Sequence, residues 1–264
     1  MVRYIILGRK GFIGAEFSKQ VINHDCEYLL LDRESIKIFI NGKIEIHPRN
    51  NGGILDDVHK FINAETIIVN CLWSKIDNSL ENSISHMSSE KAEIDFVRNL
   101  KEINCKYVSF GSIKEFESDS MYAISKRNVY NFVSTKLENY YWIRIANCYG
   151  STNTGRLIDQ IFQSFLTGNS FLLNNPDKII NLYPVQQFVN SCIDTIFNLP
   201  SGDYNVSSQQ WVKLKDLNNS FLNLIEPDYL KIDSGPFSMT DLKLLEIKAP
   251  LLTEFFRALK FNHL

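Results

Sequence analysis

The chain has 264 residues, a formal net charge of −2 and 44% hydrophobic residues. That length predicts one large domain, or one domain with an added lobe, and is sufficient for a substantial core. Because the charge is near zero and no basic block occurs, we do not expect a nucleic-acid partner. No apolar run approaches the roughly 20 residues that span a bilayer, and the N-terminal run is too short for a signal peptide. We therefore expect a cytoplasmic protein without a membrane partner.

The first predicted elements are a strand, a glycine turn, a helix and a second strand. The strand Tyr4–Leu7 leads directly into Gly8-Arg9-Lys10-Gly11-Phe12-Ile13-Gly14, and the second strand is Tyr28–Leu31. We predict the helix over about 12–24, so the two strands should be parallel. The glycines permit a tight turn and close approach of backbone N–H groups to a pyrophosphate, which the helix N-terminus also favours. A glycine turn alone is equally compatible with a plain loop, but this context predicts a dinucleotide site.

Strands and helices continue to alternate to about residue 145. The further predicted strands are Thr66–Leu72, Lys106–Phe110 and Tyr140–Ile145, and the further predicted helices are about 56–62, 90–102 and 122–136. This order predicts an α/β fold with a doubly wound parallel sheet, in which ligands bind beyond the carboxyl ends of the strands. Leu72, Trp73, Ser112 and Asn147 follow predicted strands and should lie at that edge, with Leu72 beside the dinucleotide and Trp73 in the substrate cleft, although Trp73 is equally compatible with the core.

The regular alternation ends after residue 150. We predict helices over about 156–167, 185–199, 213–224 and 238–259, with a short strand over 170–173. The alternation predicts a dinucleotide-binding domain over 1–150, which also receives segments near 180–206, and a second lobe over 151–264.

The candidate chemistry lies in Tyr122 and Lys126, one helical turn apart. A phenol has a pKa near 10, and a nearby ammonium makes it a stronger acid by favouring the phenolate. Such a phenol can protonate a carbonyl oxygen while hydride reaches the carbon. With 11 tyrosines in the chain, a chance Tyr-x-x-x-Lys is expected, so the motif gains its specificity from its place at the ligand edge.

The cysteines and histidines predict no metal site. The five cysteines are dispersed, with no Cys-x-x-Cys pair, which favours reduced, buried thiols. The five histidines show no spacing typical of metal ligands, and we interpret them as surface or structural residues.

Together these residues resemble the extended short-chain dehydrogenase/reductase family, which comprises nucleotide-sugar epimerases, dehydratases and reductases, over nearly the whole chain. Gly8-x-x-Gly11-x-x-Gly14 matches the family's cofactor turn, and Ser112 with Tyr122-x-x-x-Lys126 matches its catalytic triad. Arg144–Gly150 is similar to its Arg-x-x-Asn-x-Tyr-Gly segment, and Gly202–Val206 to its Tyr-Asn-Val strand. The resemblance implies a Rossmann fold with a smaller C-terminal α/β lobe over 151–264 that mainly binds the substrate. It also implies a homodimer formed through the helices predicted near 90–102 and 122–136.

The resemblance also implies roles for individual residues. Tyr122 would be the general acid/base, Lys126 would lower its pKa and bind the nicotinamide ribose, and Ser112 would hydrogen-bond the reacting oxygen. Asn147 would contact the nucleotide diphosphate of the substrate.

Two departures from the family pattern bear on the reaction. Ile113 and Lys114 follow Ser112 in place of the Asp-Glu of dehydratases, which disfavours dehydration. Only nine residues separate Ser112 from Tyr122, a spacing similar to that of the keto-sugar reductases and shorter than that usual in epimerases.

A third departure concerns the substrate. The family often carries an arginine that grips the diphosphate, and Ile180–Gln187 has none. Either Arg156 or Lys178 replaces it, or the substrate is not an ordinary nucleotide sugar.

The cofactor is either NAD or NADP. Asp32, just after the second strand, can accept from both ribose hydroxyls and favours NAD. Arg33, with Arg9 and Lys10 of the turn, can instead bind a 2′-phosphate, and we slightly favour NADP because biosynthetic reductions usually use it.

Three functions follow. The leading hypothesis is an NAD(P)H-dependent reductase of a nucleotide-linked keto-deoxysugar. The alternative within the same class is a nucleotide-sugar epimerase with tightly bound NAD. The alternative from another class is a catalytically silent NAD(P)-binding sensor or scaffold.

Overall fold

The structure, a computed structural model, describes residues 2–24, 26–49, 54, 58–73, 80–100, 104–117, 119–145, 147–150, 160–161, 173, 175–207 and 211–216. The chain divides into two compact units, one comprising Met1–Ile145 with Val189–Val206 and the other comprising Ala146–Phe188 with Ser207–Leu264. The strand predicted over 170–173 and the helices predicted over 156–167 and 238–259 lie wholly or almost wholly outside the described residues.

The first unit contains an eight-stranded sheet. Its strands are β1 (Arg3–Leu7), β2 (Glu27–Leu31), β3 (Ser35–Ile40), β4 (Lys43–Pro48), β5 (Thr66–Asn70), β6 (Lys106–Ser112), β7 (Tyr140–Ile145) and β10 (Gly202–Val206). The helices with given bounds are α1 (Phe12–Ile22), α2 (Leu80–Leu100), α3 (Lys114–Glu117), α4 (Met121–Lys136) and α5 (Val185–Asn198), with a 3₁₀ turn at His59–Phe61.

The strand order is β10-β7-β6-β5-β1-β2-β3-β4, and the six strands from β10 to β2 are parallel. This confirms the predicted parallel α/β sheet. Helices cover both of its faces: Tyr107 packs on Phe96 of α2, whereas Phe110 packs on Phe17 of α1. Residues three apart on one strand point to opposite faces, so α1 and α2 lie on opposite sides of β6.

One edge of the sheet differs from the prediction of a wholly parallel sheet. β3 and β4 form an antiparallel hairpin beside β2, and every residue of β4 is exposed. Asn41 and Gly42 connect the two strands, both with positive φ (51° and 76°). An Asn-Gly pair between alternating apolar residues is a strong hairpin signal, so the sequence did carry this feature.

The helix before β6 begins earlier than predicted. α2 starts at Leu80, whereas the serine-rich sequence up to residue 89 had indicated a polar segment and a start near Glu90. The hydroxyls of Ser88 and Ser89 donate to the carbonyl oxygens of Ile84 and Ser85, four residues earlier. Serines bonded in this way are compatible with a helix interior, which explains the wrong start.

The core of the first unit lies between the parallel strands and the inner faces of α2 and α4. Ile5, Ile68 and Trp142 are fully buried in it. Phe96 and Val97 contribute from α2, and Val129 and Val133 contribute from α4. This packing fixes the helix that carries Tyr122 and Lys126 against the strand that ends in Ser112.

The second unit contains a three-stranded sheet formed by β8 (Asn147–Tyr149), β9 (Ile179–Pro184) and β11 (Trp211–Lys213). β8 and β9 are parallel, and β9 and β11 are antiparallel. Lys213 lies in β11 rather than at the start of the helix predicted over 213–224, because it pairs with Ile179. Most of that predicted helix lies outside the described residues.

Substitution of Ile68 tests the position of the core. Because Ile68 is fully buried in β5, Ile68→Ala should lower the free energy of unfolding by about 2–5 kcal/mol. Ile46→Ala is the matched control, since Ile46 on β4 is 67% exposed and its loss should change the free energy by less than about 0.5 kcal/mol. Urea titration measures both. Equal effects of the two substitutions would contradict the described core.

Candidate active site

The glycine turn after β1 is a tight, backbone-bonded structure. Gly8 has a φ of 83°, a left-handed conformation that favours glycine. The backbone N–H groups of Gly8 and Arg9 both donate to the carbonyl oxygen of Leu31, at 2.9 and 3.0 Å. The backbone N–H of Gly11 donates to the carbonyl oxygen of Gly8. The turn is therefore held against the end of β2.

The start of α1 packs closely on the glycine turn. A Cβ atom on Gly14 would collide with the carbonyl oxygen of Gly8, so only glycine lets α1 approach the turn this closely. Gly11 is the N-cap, and no side chain caps the helix. The first amides of a helix lack internal partners, and a phosphate group is a suitable acceptor for them. The turn is compatible with the predicted pyrophosphate site at Gly8–Gly14, which includes the backbone at Phe12 and Ile13, and this site stays a prediction.

Asp32 is a buried carboxylate at the end of β2. Its Oδ1 atom accepts from the backbone N–H groups of Glu34 and Ser35 at 2.8 and 2.9 Å. Its Oδ2 atom pairs with Arg9 at 2.7 Å and lies 3.6 Å from the Lys10 ammonium. Burial alone would raise the pKa of Asp32, but these hydrogen bonds and cations together lower it to about 2. The carboxylate is charged at neutral pH and already well bound.

A cavity of about 530 Å³ lies at the carboxyl ends of β1 and β5. Its lining residues include Leu7, Leu72 and Arg33, and also Trp73 and Glu93. Leu72 and Arg33 are therefore brought to one cavity, although they are distant in sequence. This is the sheet edge at which the strand order reverses between β1 and β5.

Lys126 is a buried cation in the first half of α4. Its Nζ atom donates to the carbonyl oxygen of Phe110 at 2.6 Å, and Phe110 lies two residues before Ser112 on β6. The Nζ atom also lies 3.5 Å from the centre of the Trp73 ring, a cation–π contact. Burial lowers the pKa of Lys126 to about 8, while the nearby carboxylates of Glu93 and Glu115 act to raise it.

Tyr122 lies in an aromatic cluster that we call the Trp73 cluster, formed by Trp73, His86 and Tyr122. The ring of Tyr122 contacts His86 with centroids 5.3 Å apart and Trp73 with centroids 6.3 Å apart, both edge-to-face. Tyr122 is 8% exposed, on the first turn of α4, where Ser120 caps the helix. The structure thus brings together Tyr122, Lys126 and Trp73.

Ser112 is positioned by a carboxylate behind it. Its backbone N–H donates to Oε1 of Glu115 at 2.7 Å, and Glu115 is only 3% exposed. The other oxygen of Glu115 accepts from Arg144 at 3.0 Å and from the Trp142 indole at 3.3 Å. A Cβ atom on Gly111 would collide with both Glu115 and Trp142, so glycine is required at this position.

Three further predicted site residues do not belong to the described part of the first unit. Asn147 begins β8 and Lys178 immediately precedes β9, both in the second unit. Arg156 lies outside the described residues.

Sequence reasoning missed three residues of the site: His86, Glu93 and Glu115. His86 and Glu93 lie on α2 and Glu115 lies on α3, and all three are buried. In the sequence, isolated polar residues on helices resemble a solvated surface. Correct placement of the start of α2 would have put His86 on the same helix as Phe96, which packs in the core.

Two general absences apply to the part of the chain that the structure describes. No helix there is long and apolar enough to cross a membrane. No group of three or more His, Cys, Asp and Glu side chains there could hold a metal ion.

No protein-family model matches the sequence, and no curated protein matches it. Solved structures do match. A dTDP-4-dehydrorhamnose reductase of Clostridium acetobutylicum superposes with a TM-score of 0.70 at 15% identity, over 98% of this chain and 100% of that chain. The enzyme WbmG of Bordetella bronchiseptica, in complex with NAD, gives 0.66 at 16% identity, over 86% and 79%.

A third match, the dTDP-4-dehydrorhamnose reductase of Bacillus anthracis in complex with NADP, gives a TM-score of 0.67 at 13% identity, over 84% of this chain and 81% of that chain. Further matches include sugar-nucleotide epimerases and a dehydratase. At these identities the likeness concerns the fold. The chain therefore has the Rossmann-type fold of the nucleotide-sugar reductases and epimerases.

Substitution of Gly14 tests the dinucleotide site. Gly14→Ala should weaken binding of NADPH or NADH by about tenfold or more, because the added methyl group pushes α1 away from the turn. Calorimetric titration measures the affinity. Gly42→Asn is the control: Gly42 has open space around it, and asparagine tolerates its positive φ, so binding should be unchanged. Unchanged affinity in Gly14→Ala would place the dinucleotide elsewhere.

Proposed function

We propose that the chain is a member of the extended short-chain dehydrogenase/reductase family that binds a nicotinamide dinucleotide and reduces a keto-sugar carried on a nucleotide. The observation that carries the proposal is the Lys126 ammonium, buried and bonded to the main chain of β6 two residues before Ser112. This bond ties the helix bearing Tyr122 to the strand that ends in Ser112. In this proposal the glycine turn binds the dinucleotide, and the cavity at the carboxyl ends of β1 and β5 lies beside it.

The dinucleotide, when bound, supplies the hydride to the carbonyl carbon of the sugar. As the carbon gains hydride, the two electrons of the carbonyl π bond move to the oxygen, which takes the phenolic proton of Tyr122. The Lys126 cation stabilises the phenolate that remains, and Ser112 donates a hydrogen bond to the reacting oxygen. Glu115 holds the main chain of Ser112 in place for this contact.

The surroundings of Glu115 support reduction over dehydration. Dehydration requires an additional acid and base at the substrate, and Glu115 is the buried carboxylate close to Ser112 in sequence. Both of its oxygens accept hydrogen bonds, from the Ser112 main chain, Trp142 and Arg144, so it is not available as an acid or base for the substrate. The short connection from Ser112 to Tyr122, occupied by α3, also favours a reductase over an epimerase. An epimerase would retain NAD through purification and turn over without added cofactor.

One observation favours a silent, cofactor-binding sensor as a second candidate. The Trp73 ring covers the Lys126 ammonium at 3.5 Å, and a ribose bonded to the same ammonium would have to share it. A sensor needs no such ribose contact. The two candidates differ in whether the Tyr122 hydroxyl is needed.

For the cofactor we propose NADP. Both oxygens of Asp32 already bind Arg9 and backbone amides, so ribose hydroxyls would compete with these partners. Arg33 is exposed and lines the cavity, and together with Arg9 and Lys10 it offers cations for a 2′-phosphate.

For the substrate diphosphate we propose that Asn147 binds it, with either Lys178 or Arg156. We also propose that the chain forms a homodimer through α2 and α4. The packing of α2 against α4 is compatible with that dimer.

Removal of the Tyr122 hydroxyl tests catalysis. Tyr122→Phe should lower kcat for NADPH-dependent reduction of nucleotide-linked 4-keto-6-deoxyhexoses by about 10²–10⁴-fold, because the proton donor is lost while the ring remains. Steady-state consumption of NADPH measures this. Tyr130→Phe, on the same helix, should retain activity. Full activity of Tyr122→Phe would refute the proposed chemistry, and a wild-type protein that binds NADPH but reduces no keto-sugar would favour the sensor.

Thermal unfolding tests the cofactor preference. NADPH should raise the melting temperature more than NADH at equal concentration, because tighter binding to the native state gives a larger shift. Arg33→Ala should reduce the NADPH shift and leave the NADH shift unchanged, whereas Lys43→Ala on the exposed β4 should alter neither. A larger shift with NADH would assign NAD and restore the ribose role of Asp32.

A further inference from the structure

Glu93 is a buried carboxylate on the inner face of α2, with 4% of its surface exposed. Its Oε1 atom accepts hydrogen bonds from the hydroxyls of Tyr107 and Ser109, both on β6. Asn70 at the end of β5 in turn donates to the Tyr107 hydroxyl at 3.0 Å. The Oε2 atom of Glu93 has no hydrogen-bond partner among the described residues. The Glu93 side chain also lines, together with Trp73, the cavity at the carboxyl ends of β1 and β5. The hydrogen-bond partners of the Glu93 carboxylate in the described part of the chain are therefore both neutral hydroxyls.

Glu93 and Lys126 lie on the same side of β6. The side chains of Tyr107 and Ser109, which bind Glu93, project toward α2, and α2 packs directly on α4. The Lys126 ammonium reaches the carbonyl oxygen of Phe110, the residue after Ser109. The Trp73 ring, which lies over that ammonium, shares the cavity with Glu93. The carboxylate and the ammonium form no direct ion pair, but both are buried in the same region, where charges attract each other more strongly than in water.

The other groups around Lys126 supply less negative charge. Glu115 also acts on Lys126, but it forms an ion pair with Arg144, which in turn pairs with Asp203. Burial raises the pKa of the Cys71 thiol, so it stays neutral at ordinary pH. Tyr122, on the same helix, and His86, on α2, face each other in the Trp73 cluster. Among the described residues, Glu93 is the buried anion near Lys126 that no cation neutralises through a direct ion pair.

We propose that Glu93 is a positioning residue that holds Lys126 in its charged form and thereby keeps Tyr122 competent as a proton donor. This role rests on the proposed reductase function. Desolvation favours the neutral amine, and an opposite charge favours the ammonium, so removal of the Glu93 charge releases the proton of Lys126 at lower pH. The ammonium is present below its pKa and is lost as the pH rises through it. The fall in kcat at alkaline pH therefore reports the loss of the Lys126 proton.

The pH dependence of kcat tests the proposal. In Glu93→Gln the alkaline limb should move to lower pH by about one unit or more, with about a threefold loss at pH 7.5 that is recovered at pH 6. Gln keeps the side-chain length and an acceptor for Tyr107 and Ser109. Glu93→Asp keeps the charge but moves it away from Lys126. Its alkaline limb should therefore lie at a pH between those of the wild type and Glu93→Gln. Glu90→Gln is the matched control: Glu90 lies one turn earlier on α2, is half-buried and accepts an exposed hydrogen bond from Asn128, so its profile should match the wild type.

A purely structural role gives a different result. Glu93→Gln would then lose activity equally at every pH, with the alkaline limb unmoved, and the proposal would be wrong.

A second measurement does not depend on turnover. The ¹³Cε resonance of Lys126 in protein labelled with ¹³C-lysine, assigned by its absence from Lys126→Arg, should titrate at lower pH in Glu93→Gln than in the wild type. An unchanged midpoint overturns the role of Glu93. A shifted midpoint in a protein that reduces no keto-sugar retains the Glu93–Lys126 coupling and rejects the proposed reductase instead.

Discussion

The buried ammonium of Lys126 is the constraint on which the rest of the site depends. Burial of a charge raises the free energy of the folded state unless other groups stabilise the charge. Four groups do so for Lys126. The Phe110 carbonyl receives its hydrogen bond, the Trp73 ring lies against it, and the carboxylates of Glu93 and Glu115 act at longer range. Because these partners belong to β6, α2, α3 and the segment that follows β5, one cation joins the elements that surround the proposed catalytic centre.

The end of β6 shows how the same groups serve folding and chemistry. Gly111 leaves space for Glu115, which binds the main chain of Ser112 and neutralises the buried Arg144. Among the described residues, loss of Glu115 would leave the buried Arg144 cation with Asp203 as its ion-pair partner and with the rings of Phe116 and Tyr130. The position of Ser112 is therefore set by a buried charge network and not by a flexible loop.

Much of the first unit could be predicted from the sequence because its parallel strands are short, continuous apolar runs. Such runs, at β1, β2 and β5, are buried on both faces, and the glycine turn and the Tyr122–Lys126 pair follow from local spacing. The β3–β4 hairpin was missed although its Asn-Gly turn was visible. The roles of Glu93 and Glu115 could not be predicted, because burial of a polar helical residue depends on contacts with β6 and β7 that are distant in sequence. In the second unit, β8 and β11 have three residues each, too few for a periodic pattern.

Transfer of deuterium from cofactor to sugar tests the central claim most directly. Incubation of the protein with nicotinamide-4-deuterated NADPH and a nucleotide-linked keto-deoxysugar should place one deuterium on the carbon that was the ketone, in step with oxidation of the cofactor. Mass and NMR spectra of the product locate that atom. Cofactor that binds but remains unoxidised, or a sugar that is epimerised without gaining deuterium, would contradict the assignment of Tyr122 and Lys126 to a reductase.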